Sequence, residues 1–275
     1  MTHRIALIQT RTPGNQADAL AELEPLVRQA AAGGARLIAT PEGSNLLQRD
    51  REKLQTVLAA PEDDAVVQGL RALARDLGVE ILIGSALVRR PDGLAANRAY
   101  FVRADGGIAA SYDKIHMFDV DLPTGETARE SQLYTPGDTA VVVDAEVGRL
   151  GLTICYDVRF PGLFRALARA GAEIIAVPAA FTRPTGEAHW EILLRARAIE
   201  CGCYVIAPAQ GGRHADGRGT WGHSIVVGPW GEIVAGFDHD APGVLLADLD
   251  LDASAKARTA IPALRNERAF TGPVL

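Results

Sequence analysis

Short runs of apolar, largely β-branched residues recur along the chain and alternate with segments of helical spacing. The strand-like runs include residues 5–10, 36–40, 79–84, 150–154, 173–177 and 204–207. Most of their positions are apolar, which is typical of strands that are covered on both faces. Between them, segments such as 64–77 place apolar residues three and four positions apart, as one face of a helix requires. This alternation predicts an α/β fold with helices layered on sheets, and spacing alone does not decide between one sheet and two.

No linker divides the chain. Its 275 residues are 48% hydrophobic, enough to bury a large core. No Pro/Ser-rich stretch, charge block or low-complexity segment interrupts them. We therefore expect one domain over residues 1–275, with a C-terminal tail from about residue 251. The net charge of −6, with both signs spread throughout, argues against a surface that follows nucleic-acid phosphates.

The N-terminal sequence and the cysteine content indicate the cellular compartment. The first residues lead straight into a strand-like run and lack the regions of a secretory signal. No uninterrupted apolar run approaches membrane-spanning length. Three cysteines cannot form a complete disulfide framework, which suits a reducing environment. We expect a cytoplasmic protein that binds neither membrane nor nucleic acid.

Cys155 is the residue that most strongly indicates a function. It directly follows the apolar run 150–154, and a helix-like segment begins shortly after it. A strand that turns abruptly into a helix at a nucleophile holds that side chain above the sheet, beside unpaired backbone N–H groups. A cysteine in an apolar strand is usually an inert packing residue, and we assign that role to Cys201 and Cys203. The polar and aromatic residues after Cys155 favour a catalytic thiol instead.

Two charged residues occupy similar positions. Glu42 follows the strand-like run 36–40, and Lys114 follows a predicted hairpin that ends at Tyr112. Taken singly, such a glutamate is usually a cap or turn residue, and such a lysine is usually a surface charge. Together, in the order Glu, Lys and Cys, each just past a strand-like run, these residues indicate a cysteine hydrolase.

A long irregular stretch, residues 113–137, follows the predicted hairpin. Connections of this length in compact domains are usually functional or disordered. Because the stretch contains Lys114, Phe118 and Glu130, we expect it to form part of the site.

The sequence patterns for a cysteine–histidine pair, a metal site or a dinucleotide site are weaker. Three histidines adjoin aromatic or charged segments and leave a cysteine–histidine pair open as a less favoured mechanism: His116, His189 and His223. The others are expected at the terminus or in solvated turns: His3, His214 and His239. No zinc-binding spacing and no dinucleotide fingerprint occurs, so we expect neither metal nor cofactor.

Three segments resemble the signature segments of the nitrilase superfamily of carbon–nitrogen hydrolases. They are TPE at 40–42, YDKIHMFD at 112–119 and GLTICYDVRFP at 151–161. The second and third are highly specific, and the resemblance extends from about residue 4 to about residue 250. It implies an α/β fold in the form of a four-layer α-β-β-α sandwich. It also implies a homodimer, or a higher homo-oligomer, paired through the outer helices near the nucleophile.

The resemblance also assigns roles to residues. It implies a catalytic triad of Glu42, Lys114 and Cys155, with Glu130 as a supporting residue. The implied reaction is hydrolysis of a linear, non-peptide amide of a small substrate to acid and ammonia through a cysteine thioester. In this mechanism Glu42 is the base, while Lys114 and the backbone N–H of Tyr156 stabilise the oxyanion.

Further segments resemble the amidase branch that contains deaminated glutathione amidases and omega-amidases. They are AFT at 180–182, TGEAHW at 185–190, LRARAIE at 194–200 and AQGGRH at 209–214, the last being nearer the former group. Both act on the 2-oxo form of a glutamine-like group, so a cation is expected for the substrate carboxylate. The candidates for substrate binding are Arg159, Phe181, Thr182, Arg183 and His189.

A deaminated glutathione amidase-like activity on a carboxylate-bearing amide is therefore favoured. The alternatives are an omega-amidase acting on 2-oxoglutaramate-type substrates, and a nitrilase or N-carbamoyl hydrolase. A non-catalytic interaction protein on the same fold is a remote alternative, against which the complete triad argues.

Overall fold

The computed structural model describes residues 2–122, 125 and 127–272, except for the side chain of residue 51. Its helices are α1 (Gln16–Ala32), α2 (Arg51–Val57), α3 (Ala65–Leu77), α4 (Pro161–Arg169), α5 (Arg183–Cys201), α6 (Asp252–Ala260) and α7 (Ala263–Asn266). Short 3-10 helices occur at Glu130–Gln132 and Cys155–Arg159.

The strands follow the same alternating order along the chain. They are β1 (Thr2–Gln9), β2 (Leu37–Ala39), β3 (Glu80–Arg89), β4 (Ala95–Val102), β5 (Ile108–Asp113), β6 (Asp119–Asp121), β7 (Thr127–Arg129), β8 (Val141–Ala145), β9 (Gly148–Leu152), β10 (Ile174–Ala176), β11 (Tyr204–Ala207), β12 (Gly211–Arg213), β13 (Gly219–Trp221), β14 (Ile225–Val227), β15 (Ile233–Gly236) and β16 (Gly243–Asp250).

Two six-stranded sheets form the inner layers. One has the order β16-β1-β2-β3-β4-β5 and the other has the order β15-β14-β11-β10-β9-β8. The central strands β1, β2 and β3 are parallel, as are β9, β10 and β11. Helices α1 and α3 pack on the first sheet, and α4 and α5 pack on the second. The predicted four-layer α-β-β-α sandwich is confirmed.

Strand β1 shows why both faces of a sheet need cover. Ile5 and Leu7 belong to the core between the sheets, whereas Ala6 and Ile8 belong to the core beneath α1 and α3. All four side chains are fully buried. Because successive side chains of a strand point to opposite faces, a strand that is apolar throughout requires a layer on each side.

Helix α3 begins and ends as its sequence predicts. The Asp64 side chain accepts hydrogen bonds from the backbone N–H groups of Val66 and Val67, which caps the helix. Gly78 ends it with a φ of 64°, a left-handed conformation that glycine adopts without steric cost. The predicted apolar face, which includes Val67 and Leu70, is buried.

The stretch 113–137 is more ordered than its sequence predicted. It contains the two-stranded hairpin β6–β7 and a 3-10 helix that begins at Glu130. Residues 123, 124 and 126 of this stretch lie outside the described residues. Three-residue strands carry too few side chains for a period of two to be recognisable.

The segment from about residue 251, expected as a tail, contains α6 and α7. Helix α6 packs against the body of the protein through Ser254 and Ala257, which are buried. Its Arg258 donates hydrogen bonds to the backbone carbonyl oxygens of Cys201 at 3.0 Å and Ala172 at 2.6 Å. In the described part of the chain, no helix has the length and apolar character needed to cross a bilayer.

Candidate active site

The carboxyl ends of strands from both sheets converge on one point. Glu42 lies just beyond β2, Cys155 just beyond β9 and Ala180 just beyond β10. The backbone N–H of Ala180 donates to Glu42 Oε2 at 2.9 Å, which links the two sheets directly. The carboxyl ends of parallel strands are the usual place for a ligand site in α/β proteins.

Gly84, in β3, allows this close approach. A Cβ atom at this position would lie 1.9 Å from the carbonyl oxygen of Thr40 and 2.4 Å from Cβ of Pro178. Both distances are far inside van der Waals contact, so any larger residue would push apart the segments after β2 and β10, which carry Glu42 and Ala180.

Cys155 is held in a strained turn. Its φ is 50°, in the left-handed region that non-glycine residues rarely occupy, and its N–H donates to the Pro178 carbonyl oxygen at 2.8 Å. Such strain persists where surrounding structure enforces it, commonly at functional sites. Tyr156 follows in the first turn of the 3-10 helix, where backbone N–H groups have no intrahelical acceptor. The geometry is the abrupt strand-to-helix turn that the sequence predicts.

Lys114 lies between two carboxylates and is only 2% exposed. Its Nζ donates to Glu42 Oε1 at 3.0 Å, and to Glu130 Oε1 and Oε2 at 3.0 and 2.8 Å. Glu130 is fixed in turn by the Phe118 N–H, which donates to its Oε2 at 2.6 Å. The structure therefore brings together Glu42, Lys114 and Glu130, which the sequence places 88 residues apart from first to last.

The charges of this cluster shift the pKa of each member. Burial lowers the pKa of Lys114, but Glu130 and Glu42 outweigh it and hold that pKa well above its ordinary value. Burial raises the pKa of Glu42, but the Lys114 charge and hydrogen bonds hold it below its ordinary value. Burial, followed by the Glu42 charge, raises the pKa of Cys155 well above its ordinary value. At neutral pH the resting site thus holds an ammonium, a carboxylate and a protonated thiol.

Asn97 is a site residue that the sequence analysis missed. Its Nδ2 donates to Glu42 Oε1 at 2.9 Å and to Glu130 Oε1 at 3.2 Å, so it bridges the two glutamates on either side of Lys114. It lies within β4, on the face that meets the site. An asparagine inside a strand, a position such residues usually avoid, was the available signal.

Asp157 is a second missed residue, and it fixes the turn at Cys155. Its fully buried carboxylate accepts hydrogen bonds from the Ile154 N–H at 2.8 Å and the Tyr112 hydroxyl at 2.7 Å. It also contacts His116 through Oδ1. The backbone N–H of His116 donates to this oxygen at 3.1 Å, and His116 Nδ1 lies 2.7 Å from it. Asp157 thus joins the segment that carries Cys155 to the segment that carries Lys114.

A cavity of about 530 Å³ opens above this cluster. The predicted site residues that line it are Glu42, Lys114, Glu130, Cys155, Tyr156, Arg159, Phe181 and Thr182. Two predicted substrate-binding residues do not line it. Arg183 is largely exposed and forms an ion pair with Asp240. His189 contacts a residue of the lining, with Nδ1 3.3 Å from Arg159 Nη2.

The histidines do not support a cysteine–histidine pair. Among the described residues, no histidine lines the cavity. His116 stacks on Phe160, and His223 Nδ1 lies 2.6 Å from the Trp221 carbonyl oxygen. In the same part of the chain, no group of three or more histidine, cysteine or acidic residues is arranged to hold a metal ion.

The expectation that His214 is solvated was wrong. The residue is 4% exposed, and its Nε2 lies 2.7 Å from Thr220 Oγ1 while its Nδ1 lies 3.3 Å from the Thr12 carbonyl oxygen. Its glycine- and aspartate-rich surroundings suggested an exposed turn, but that turn folds back onto the chain segment after β1.

His214 should make stability depend on pH. Burial lowers its pKa to about 4, compared with about 6.5 in an unfolded chain. Its contribution to stability is therefore complete above about pH 6.5 and is lost as the pH falls towards 4, by about 3 kcal/mol. Denaturant unfolding at pH 7 and pH 4 should show a smaller pH-dependent loss in His214→Gln than in the wild type. The exposed-site control His189→Gln should keep the wild-type dependence, and equal losses in all three proteins would contradict the assignment.

The α-β-β-α fold and the site of Glu42, Lys114 and Cys155 together define a class of enzyme that cleaves a covalent bond in a small-molecule substrate. Comparison with known proteins identifies the family. Residues 4–259 match the model of the carbon–nitrogen hydrolase family, and the chain belongs to that family.

Named relatives agree with this assignment. The deaminated glutathione amidase of Yersinia enterocolitica is 43% identical over 96% of this chain and 92% of its own length. The deaminated glutathione amidase of Homo sapiens is 40% identical over 94% of this chain and 80% of its own. The crystal structure of the C. elegans NitFhit protein matches with a TM-score of 0.90 at 33% identity, covering 97% of this chain and 65% of that one.

These matches confirm the resemblance to the nitrilase superfamily. The chain is an enzyme, a hydrolase that cleaves the carbon–nitrogen bond of a small-molecule amide. The matched span agrees with the extent predicted from the signature segments.

Proposed function

We propose that this hydrolase acts on 2-oxo acid amides of the glutamine type, with deaminated glutathione as the favoured substrate and Cys155 as the nucleophile. The observation that carries the proposal is the position of Lys114. It lies between two carboxylates in the cavity into which the Cys155 turn opens. The names of the relatives support the choice of substrate.

In the first half-reaction, Glu42 takes the thiol proton while Cys155 Sγ attacks the amide carbon. Because the resting thiol is protonated, this transfer is coupled to the attack. Lys114 has three N–H donors and two carboxylate partners, so one donor can meet the oxyanion together with the Tyr156 backbone N–H. Protonated Glu42 then delivers its proton to the leaving nitrogen. The carbon–nitrogen bond breaks and a thioester remains.

In the second half-reaction, Glu42 removes a proton from water, whose oxygen attacks the thioester carbon. The carbon–sulfur bond breaks, the acid leaves, and Glu42 returns the proton taken from water to Cys155 Sγ, which restores both the thiol and the carboxylate. Lys114 and Tyr156 serve the second oxyanion as they served the first. The nature of the leaving group depends on the substrate. A primary amide releases ammonia, whereas deaminated glutathione releases the amine of cysteinylglycine.

The 2-oxo acid end of such a substrate carries a carboxylate, and Arg159 is the proposed partner. Arg159 extends from the 3-10 helix of Cys155, and its guanidinium carbon lies 5.5 Å from the centroid of the Phe181 ring. Phe181 and Thr182 line the adjacent wall. A guanidinium fixed over an aromatic ring is well suited to bind a carboxylate by two parallel hydrogen bonds.

A substrate panel tests the proposal. The purified chain should form 2-oxoglutarate from deaminated glutathione with a kcat/KM about tenfold or more above that for 2-oxoglutaramate, as measured by mass spectrometry of the products. Nitriles and N-carbamoyl amino acids serve as comparison substrates. A kcat/KM for 2-oxoglutaramate at or above that for deaminated glutathione would favour an omega-amidase, and turnover of nitriles or N-carbamoyl amino acids without any 2-oxoglutarate formation would favour a nitrilase or N-carbamoyl hydrolase. No turnover of any compound would favour an interaction protein.

We also propose a homodimer paired through α5. This helix exposes Ile192 and Ile199, at 70% and 55%, and the 60% exposed Trp230 directly precedes Gly231, which lies against Ile199. Large apolar side chains exposed together are typical of an interface. Light scattering of the full chain should give twice the chain mass, and a monomer at micromolar concentration would contradict the proposal.

A cytoplasmic location is proposed on the basis of the thiols. Cys155, Cys201 and Cys203 are all free and buried, and free thiols persist in reducing compartments. Detection of the protein outside the cytoplasm by cell fractionation would contradict this.

A further inference from the structure

The cavity contains more arginines than one substrate carboxylate requires. Besides Arg159, three others line it: Arg49, Arg129 and Arg218. They come from separate segments of the chain. The hydrogen-bond partners of each guanidinium decide whether it can also bind a ligand.

Arg129 is committed to the protein itself. Its Nη1 donates to the carbonyl oxygens of Val120 and Ala128, both at 2.8 Å. Its Nη2 donates to the Asp121 carboxylate at 2.7 and 2.9 Å. Arg129 therefore supports the β6–β7 hairpin.

Arg218 is held differently. Its Nε donates to Asp216 Oδ2 at 2.9 Å, and its backbone N–H donates to Asp216 Oδ1 at 3.1 Å. The Asp216 side chain is 4% exposed, so it anchors the guanidinium by one edge. Among the described residues, neither Nη1 nor Nη2 of Arg218 has a hydrogen-bond partner. The two terminal nitrogens form a fork that fits the two oxygens of a carboxylate.

The position of Arg218 is fixed relative to the cavity wall that Phe181 and Thr182 form. It directly precedes β13, in which Thr220 pairs with Thr182 and the Trp221 N–H donates to the Phe181 carbonyl oxygen at 2.9 Å. Arg218 therefore extends the wall that Phe181 and Thr182 begin. It does so from a hairpin that is separate from the 3-10 helix carrying Arg159.

We propose that Arg218 binds the second carboxylate of deaminated glutathione, the one on its glycine residue, and so selects long substrates over short ones. This inference rests on the proposed function. Deaminated glutathione is a chain with a carboxylate at each end, whereas 2-oxoglutaramate carries only the carboxylate of its 2-oxo acid. Arg159 would serve the end that both share, and Arg218 the end that only the longer substrate has.

The test compares both substrates in Arg218→Gln. For deaminated glutathione, kcat/KM should fall about 10- to 100-fold, chiefly through KM, because one charge-assisted carboxylate contact is lost. For 2-oxoglutaramate it should stay within about twofold, which also verifies that the variant is folded. The matched control Arg159→Gln should weaken both substrates.

A modified substrate provides an independent arm on the wild-type protein. The wild-type kcat/KM for deaminated glutathione that ends in glycinamide should be as low as the kcat/KM of Arg218→Gln for the acid. In Arg218→Gln, replacing the acid by the glycinamide should lower kcat/KM no further. Equal effects of Arg218→Gln on both substrates, no effect on either, or undiminished turnover of the glycinamide would overturn the inference while leaving the proposed function intact. If the wild type cleaved neither substrate, both the inference and the proposed function would be overturned.

Discussion

Cys155→Ala is expected to lower kcat for every amide substrate by about 10⁴-fold or more, because no thioester can form. Among the described residues, the structure gives the variant no substitute thiol, since Cys201 and Cys203 are buried in the core and do not line the cavity. The fold should survive, because alanine at 155 leaves the Pro178 and Asp157 hydrogen bonds to the turn in place. Steady-state kinetics and intact-protein mass spectrometry after rapid acid quenching together measure the effect.

The matched control for this experiment is Cys201→Ala, which removes a thiol that does not line the cavity. This variant should retain kcat within a few-fold and should still show the mass increase of an acyl group. Turnover or an acyl adduct in Cys155→Ala would show that Cys155 is not the nucleophile. Loss of the adduct in Cys201→Ala would also contradict the assignment.

Segments that carry their own chemical pattern were predictable. The order Glu42, Lys114 and Cys155, each just past a strand-like run, indicated a common site because together these residues supply the base, the cation and the nucleophile of a cysteine hydrolase. Helix α3 was predictable for the same kind of reason, since its cap, its apolar stripe and its terminal glycine all lie within one short segment.

Residues that act only through distant partners were not predictable. Asn97 and Asp157 acquire their importance from contacts with other segments, and their local sequence does not identify those partners. Arg218 is oriented locally by Asp216, but its place in the cavity wall depends on the pairing of β13 with the segment of Phe181 and Thr182. His214 was placed in solvent for the same reason. Its neighbours form a turn, but the turn packs against Thr12, about 200 residues earlier in the chain.

The Glu42 carboxylate is expected to be needed for turnover and not for the reactivity of the thiol. Glu42→Gln should lower kcat by about 10³-fold or more, because the amide can neither accept the thiol proton nor activate water. The negative charge of Glu42 helps to raise the pKa of Cys155, so its removal should lower that pKa. Alkylation of Cys155 by iodoacetamide should therefore reach half its maximal rate at a lower pH in Glu42→Gln than in the wild type.

A stability measurement separates a proton-transfer role from a structural one, because a loosened site would also expose the buried Cys155 thiol, lower its pKa and speed its alkylation. If Glu42 only held Lys114 and Ala180 in place, turnover would fall together with the denaturant midpoint of unfolding. If it is the base, turnover falls and the thiol becomes more reactive while that midpoint stays close to the wild-type value. Glu146→Gln, on an exposed ion pair with Arg36, is the isosteric control and should change neither measurement. Wild-type kcat in Glu42→Gln would rule Glu42 out as the base and leave Glu130, the other carboxylate in the described lining of the cavity, as the candidate.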